Sequence, residues 1–249
     1  MDPLDALRRE LATAGVFVDF DGTLSPIVTR AADARPLPGV AGVLLELTGV
    51  AGRVAVVSGR PVSYLAEHLP DAIELHGLYG LEARIDGDAR ERGDAARWRP
   101  VVDAVVAEAA EAIGSSGVDV EHKGLSLTLH FRRVPAAEDD AAIWAGEAAA
   151  RTGLHVRAAK MSLELHPPVS VDKGTVVEER SEGLTAVAYV GDDLGDLPAF
   201  EALDRLAARG LHAVRVAVRT PDLSDELSAR ADHLVDGPDG ALALLRSLC

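Results

Sequence analysis

Cysteine is nearly missing from this sequence: Cys249, the final residue, stands alone among 249. A lone cysteine excludes a disulfide framework and points to a reducing compartment, so a cytoplasmic location is expected. Aromatic residues make up only 4% of the chain, which leaves alanine, valine and leucine to do the packing. Basic residues are also in short supply, 25 Lys and Arg against 40 Asp and Glu, for a net charge of −15. That balance argues against nucleic acid and against an anionic membrane surface as partners. No apolar run is long enough to span a bilayer. The first residues, with acids at Asp2 and Asp5, contain no apolar segment of signal-peptide length. A hydrophobic fraction of 48% still suffices for a sizeable core. The expectation is a soluble, monomeric protein acting on a small molecule. A phosphorylated substrate would need a local positive site built from a metal and a few cations.

Val16-Phe17-Val18-Asp19-Phe20-Asp21-Gly22-Thr23-Leu24 is the stretch around which the rest is organised. Val16 to Val18 read as a buried parallel strand. Asp19 and Asp21 alternate with Phe20, so both carboxylates leave the strand end in the same direction. Gly22 allows a sharp turn, and Thr23 adds a hydroxyl. Two carboxylates held this close are costly unless a cation or proton lies between them. Oxygen ligands suit Mg²⁺.

The pattern from Val16 to Gly80 is strand, helix, strand, helix, strand, which indicates a parallel sheet with right-handed crossovers. The second strand, Arg53 to Val57, ends in Ser58-Gly59-Arg60-Pro61. Around Glu82 the rhythm changes. A charged segment with an Asp86-Gly87 turn leads into helix, two strands, helix, two strands, ending near His166. After Pro167-Pro168 the α/β alternation resumes with a helix from about Gly174, a strand over Ala186 to Val190 and a further strand over Ala213 to Val218. The expected fold is therefore α/β, a doubly wound parallel-sheet (Rossmann-like) core over residues 1–82 and 167–249. An inserted α+β cap domain is expected over 83–166.

Four polar clusters fall where parallel strands end or helices begin, the places where open α/β sheets bind ligands. They are Asp19 with Asp21, Ser58, Lys173, and Asp192 with Asp193 and Asp196. A nucleophile, a hydroxyl donor, a cation and an acid pair suit phosphoryl transfer, which depends on positioning and charge neutralisation. Asp19 would attack phosphorus, and Asp21 would protonate the leaving oxygen and later activate water. Ser58 would donate to a phosphate oxygen, and Lys173 would shield the nucleophile. Asp19, the carbonyl of Asp21, Asp192 and Asp193 would supply the Mg²⁺ site. No histidine set has metal-ligand spacing.

Asp19-Phe20-Asp21-Gly22-Thr23-Leu24, Ser58, Lys173 and Gly191-Asp192-Asp193 resemble, in order, the four motifs of the haloacid dehalogenase superfamily of phosphatases. The insertion resembles that superfamily's C2-type cap. More narrowly, the chain is similar to trehalose-6-phosphate phosphatases along most of its length. That resemblance is carried by Ser25-Pro26-Ile27, Val57-Ser58-Gly59-Arg60 and His76-Gly77-Leu78. It is carried also by Glu121-His122-Lys123-Gly124-Leu125-Ser126-Leu127, His130-Phe131-Arg132, Glu164-Leu165-His166-Pro167 and Asp172-Lys173-Gly174. The resemblance implies an Mg²⁺-dependent phosphatase of trehalose 6-phosphate working through an aspartyl-phosphate. It implies substrate contacts from Arg60, His76, Gly77, Lys123, Ser126 and Glu164. The chain departs from the family pattern at His166, where arginine is usual, and at Gly195 and Leu197 in the last motif. Two other readings stay open, a phosphatase of another sugar phosphate (sucrose or mannosylglycerate phosphate) and a catalytically idle sugar-phosphate-binding protein.

Overall fold

A computed structural model describes residues 3–159 and 161–249. Met1, Lys160 and Asp2, one of the two acids noted at the start of the chain, lie outside the described residues. The chain divides into two compact units, Met1–Arg90 with Val171–Cys249, and Glu91–Ser170.

The first unit begins with α1 (Pro3–Arg9), β1 (Ala14–Val18), α2 (Val40–Thr48), β2 (Arg53–Val57), α3 (Val62–Ala66), β3 (Glu74–Gly77), β4 (Glu82–Ile85) and β5 (Asp88–Glu91). The chain then forms the second unit with α4 (Gly93–Ala96), α5 (Arg99–Ala112), β6 (Asp119–His122), β7 (Leu127–His130), α6 (Glu138–Thr152), β8 (His155–Ala159) and β9 (Ser162–His166). It returns through α7 (Lys173–Arg180), β10 (Ala186–Gly191), α8 (Leu197–Ala208), β11 (His212–Arg219), α9 (Asp225–Arg230), β12 (His233–Asp236) and α10 (Gly237–Arg246).

The core sheet runs β12-β11-β10-β1-β2-β3-β4-β5. Its pairs from β12 to β3 are parallel, and β4 returns antiparallel on β3. β1 and β10 are buried at every residue, as central strands between two helical layers must be. Alternation sorts their side chains. Val16 and Val18 join a cluster with Leu44 and Leu47 of α2 and Leu245 of α10. Phe17 and Tyr189 join the opposite cluster with Val177, Phe200 and Leu203 of α7 and α8. Each such large apolar side chain contributes roughly 1.5–3 kcal/mol on full burial.

The sequence reading closes the core at residue 82 and reopens it at 167, whereas the units divide after Arg90 and after Ser170. The cause at the first boundary is the β4–β5 hairpin around Asp86-Gly87, which extends the core sheet. β12 and α9 also escape the pattern. Both are short, and β12 alternates only between half-buried and exposed residues at the sheet edge.

An ion network ties α7 to the sheet. Glu74 of β3 accepts from Arg180 Nε at 2.9 Å and Nη2 at 2.8 Å, and from Arg53 Nε of β2 at 3.2 Å. Burial alone would raise the Glu74 carboxyl. The His76 ring at 3.5 Å and the two guanidiniums outweigh burial and bring it down to about 2.

In the second unit the strands run β6-β7-β9-β8, each pair antiparallel. Val102, Val105 and Ala109 of α5 and Ala141, Ala145 and Ala148 of α6 recur at helical spacing and cover Leu127, Leu129 and Leu165. Register places Glu121, Thr128, Glu164 and Arg157 in one row across the four strands. Being one residue out of step with the leucines, that row belongs to the other face.

Candidate active site

The first unit's chain winds from β1 through β2 to β3 in one direction and continues through β10 and β11 in the other. Between β1 and β10 lies the point where strand order reverses, the usual ligand-binding crevice of such a sheet. Asp19 follows β1 directly, Ser58 follows β2, and Asp192 follows β10. Asp19 N still donates to the Val190 carbonyl at 2.9 Å, which extends the β1–β10 ladder up to the acid itself.

Beyond Asp19 the backbone closes on itself. Leu24 and Ser25 N both donate to the Phe20 carbonyl, and Gly22 N donates to the Ser25 carbonyl at 2.8 Å. Gly22 has φ +76°, and a Cβ there would lie 2.0 Å from Asp192 Oδ2. No side chain fits, so glycine is required by both conformation and space.

Lys173, the first residue of α7, reaches into the acids. Its Nζ donates to Asp19 Oδ1 at 2.7 Å and to Asp196 Oδ1 at 2.6 Å, with all three groups buried. Asp172 caps the helix by accepting from Thr175 N at 2.7 Å, which fixes where the lysine starts. Asp196 also accepts from the Tyr189 hydroxyl at 2.6 Å, and its Oδ2 takes the Asp192 and Asp193 amides at 2.8 and 3.2 Å. Asp192 accepts from Thr220 Oγ1 at 2.9 Å.

Asp19, Asp192 and Asp196 can each bring a carboxylate oxygen within 4.8 Å of the others. Three carboxylates face one ammonium, leaving two formal negative charges uncompensated. The electrostatics show the cost. Burial raises Asp19 well above the carboxylate range, opposed by Lys173 and reinforced by Asp196 and Asp192. Burial, with Asp196 and Asp193, raises Asp192 to about 8. Burial would lower Lys173, yet Asp19 and Asp196 hold it well above its usual value. A hard divalent cation fits this all-oxygen, over-acidic set.

Two expected metal residues hold their carboxylates elsewhere. Asp193 is exposed and spends its side chain on Gly195 N at 2.8 Å, in a capping box with Asp196. The third acid of the buried set is therefore Asp196 and not Asp193. The Asp21 carboxylate is also outside that set, held by Arg60. Ser58 anchors its own turn. Its hydroxyl accepts from Arg60 N at 3.2 Å, its N donates to the His76 carbonyl, and its carbonyl accepts from Tyr79 N. His76 is buried at the end of β3 beside Glu74. A Cβ on Gly77 would lie 2.6 Å from Val62 N and 2.8 Å from the Arg60 carbonyl, so Gly77 is a packing requirement of the same turn.

In the second unit, Ser126 Oγ donates to Glu164 Oε1 at 2.7 Å, and Arg157 Nη1 lies 3.6 Å from Glu164 Oε2. Lys123 Nζ lies 3.8 Å from Glu121 Oε2, which His130 Nε2 contacts at 2.8 Å. Sequence reasoning assigned no role to Thr220 or Tyr189. Thr220 follows the strand next to β10, a position that only the strand order reveals. Tyr189 sits inside a hydrophobic strand and reads as core.

A model of the Trehalose-phosphatase family matches residues 17–232. The trehalose-phosphate phosphatase of Mycobacterium ulcerans (strain Agy99) is 32% identical over 245 residues, which cover 92% of this chain and 60% of that protein. That of Mycobacterium avium (strain 104) is 34% identical over 236 residues, covering 90% and 59%. The chain thus spans about 60% of the length of the curated relatives it matches. Among solved structures, the C-terminal domain of a C. albicans trehalose-6-phosphate phosphatase aligns with a TM-score of 0.78 at 22% identity, covering 100% of this chain and 96% of that one. At that identity the likeness is one of fold.

Proposed function

The chain belongs to the trehalose-phosphatase family, and from that premise we propose that it hydrolyses trehalose 6-phosphate to trehalose and phosphate. The observation that carries the reading is the buried Lys173–Asp19 contact at 2.7 Å at the sheet's switch point, with Asp192 and Asp196 beside it.

In the proposed reaction an Asp19 carboxylate oxygen attacks phosphorus. The bond from phosphorus to the sugar oxygen breaks, its electron pair goes to that oxygen, and Asp21 supplies the proton. A water then attacks the aspartyl-phosphate and gives its proton to Asp21. The pair of the phosphorus–Asp19 oxygen bond returns to the carboxylate, and phosphate leaves. Lys173 opposes the rise of the Asp19 carboxyl and screens it from the incoming phosphate, a repulsion that is large in a dry site. Ser58 donates to a phosphate oxygen, and His76 and Gly77 hold the turn that presents it. Mg²⁺, held by Asp19, Asp192 and the Asp21 carbonyl, would supply charge neutralisation at the phosphoryl oxygens. Lys123, Ser126 and Glu164 are proposed to read sugar hydroxyls, which apolar contacts cannot discriminate.

A phosphate-release panel tests this. Trehalose 6-phosphate should exceed glucose 6-phosphate and sucrose 6-phosphate in kcat/KM by at least ~100-fold, as hydrogen-bonding sites can manage. EDTA should stop turnover and Mg²⁺ restore it. Faster turnover of another sugar phosphate would reassign the substrate.

A further inference from the structure

Arg60 is expected to be a substrate ligand, yet its guanidinium is already engaged within the first unit. Nε donates to Asp21 Oδ2 and Nη2 to Asp21 Oδ1, each at 2.7 Å. Nη1 donates to the Ala31 carbonyl at 2.7 Å. The guanidinium carbon stands 4.6 Å from the centroid of the Tyr64 ring, and Tyr64 itself donates to the Ala34 carbonyl. The arginine side chain is only 9% exposed, whereas the Asp21 side chain is 40% exposed.

The buried member of the pair is thus the anchor, and the accessible member is the group that must meet a substrate. A planar fork on a carboxylate sets its plane as well as its position, which a single ammonium cannot do. Reaching for a phosphate would strip Asp21 and Ala31 of their bonds and unstack Tyr64. The nucleophile already has a cation of its own in Lys173. We infer that Arg60 acts on the reaction through Asp21, holding the plane and reach of the proton-transferring carboxylate, and not as a ligand of the substrate phosphate. This rests on the proposed roles of Asp19 and Asp21. Arg60 is then a positioning residue, and misplacement of about 1 Å at such a group is worth on the order of 100-fold in rate.

The test is a cycle of wild type, Arg60→Lys, Asp21→Asn and the double variant, measured as the full chain with Mg²⁺. Substrates are trehalose 6-phosphate and p-nitrophenyl phosphate. kcat/KM reports events up to loss of the first leaving group. A sugar oxygen needs a proton to leave, and p-nitrophenolate does not. Arg60→Lys should lower kcat/KM about 30-fold on the sugar phosphate and less than about threefold on the aryl phosphate. In the Asp21→Asn background the same change should add less than about twofold, because two residues acting as a unit do not multiply. Inhibition by orthovanadate should be unchanged. Equal losses on both substrates, losses that multiply, or weakened vanadate inhibition would overturn the inference and make Arg60 a phosphate ligand. If Arg60→Lys melts at a lower temperature, Arg60→Gln repeats the cycle. If wild type cleaves aryl phosphate but not trehalose 6-phosphate, the substrate reading fails, and a simple alkyl phosphate replaces it in the same comparison.

Discussion

Asp19 of the first unit and Glu164 of the second are equally hidden, each 4% exposed, yet they are held by opposite means. Asp19 sits past the end of a strand among acids, and Lys173 is its charged partner at 2.7 Å. Glu164 sits inside β9 in a register row, with the neutral Ser126 hydroxyl at 2.7 Å and Arg157 further away at 3.6 Å. The first arrangement concentrates negative charge and suits a cation and a phosphate. The second spreads alternating donors and acceptors across a sheet face, which suits hydroxyl groups. Burial alone therefore says little about what a carboxylate does. Its neighbours decide.

The comparison breaks most sharply at Asp19, the proposed nucleophile. Asp19→Asn should reduce turnover of every phosphate monoester by at least ~10³-fold, while circular dichroism shows an intact fold. Activity within tenfold of wild type would remove Asp19 from the reaction. A milder and selective effect is expected in the second unit. Lys123→Ala should lower kcat/KM for trehalose 6-phosphate by ~10 to 100-fold, the cost of one charged hydrogen bond. The same variant should barely alter hydrolysis of an aryl phosphate, and equal losses on both would make Lys123 a support of the fold.

The smallest effect is one of stability. Asp192 is raised to about 8 from an ordinary value near 3.8, so the folded chain holds that proton more tightly than the unfolded one. The associated stability is complete below about pH 4 and is lost as pH rises through about 8. In EDTA, the melting temperature of wild type should fall relative to Asp192→Asn between about pH 5 and 8, and Mg²⁺ should flatten the difference. Glu74, lowered to about 2, acts only at the acid end, where its contribution is lost as pH falls below about 4.5. Parallel melting curves for the two proteins across that window would contradict the charge crowding described for the first unit.

Much of the first unit was legible because its chemistry is written in contiguous letters. Asp19 to Leu24 is a strand end, a glycine turn and a hydroxyl in six residues, and strand ends are where α/β sheets work. The Asp196 role was half visible. Its spacing from Asp193 is that of a capping box, but which acid turns inward depends on Lys173 arriving from another segment. Thr220 and the Arg60–Asp21 fork were not legible, since each joins residues far apart in sequence through strand order and loop path. β12 and α9 were lost for a simpler reason, being too short and polar to carry a periodic signal. The register row of the second unit follows from alternation once the leucines of β7 and β9 are assigned inward, but the order β6-β7-β9-β8 is needed to align it.

The Glu74 network has a mechanical side. α7 has eight residues with Lys173 at one end and Arg180 at the other. At about 1.5 Å per residue it is a rod of roughly 12 Å. Glu74 pins the far tip through two hydrogen bonds from Arg180. If that pin were loosened, a pivot of only about 5° around it would sweep the near tip by about 1 Å, given that length. A shift of that size is enough to lengthen the Lys173–Asp19 contact beyond hydrogen-bond range. An interior strand of the β-sheet thereby sets the aim of an ammonium at the opposite end of a helix, and alignment at Asp19 is governed by leverage as well as by its immediate neighbours.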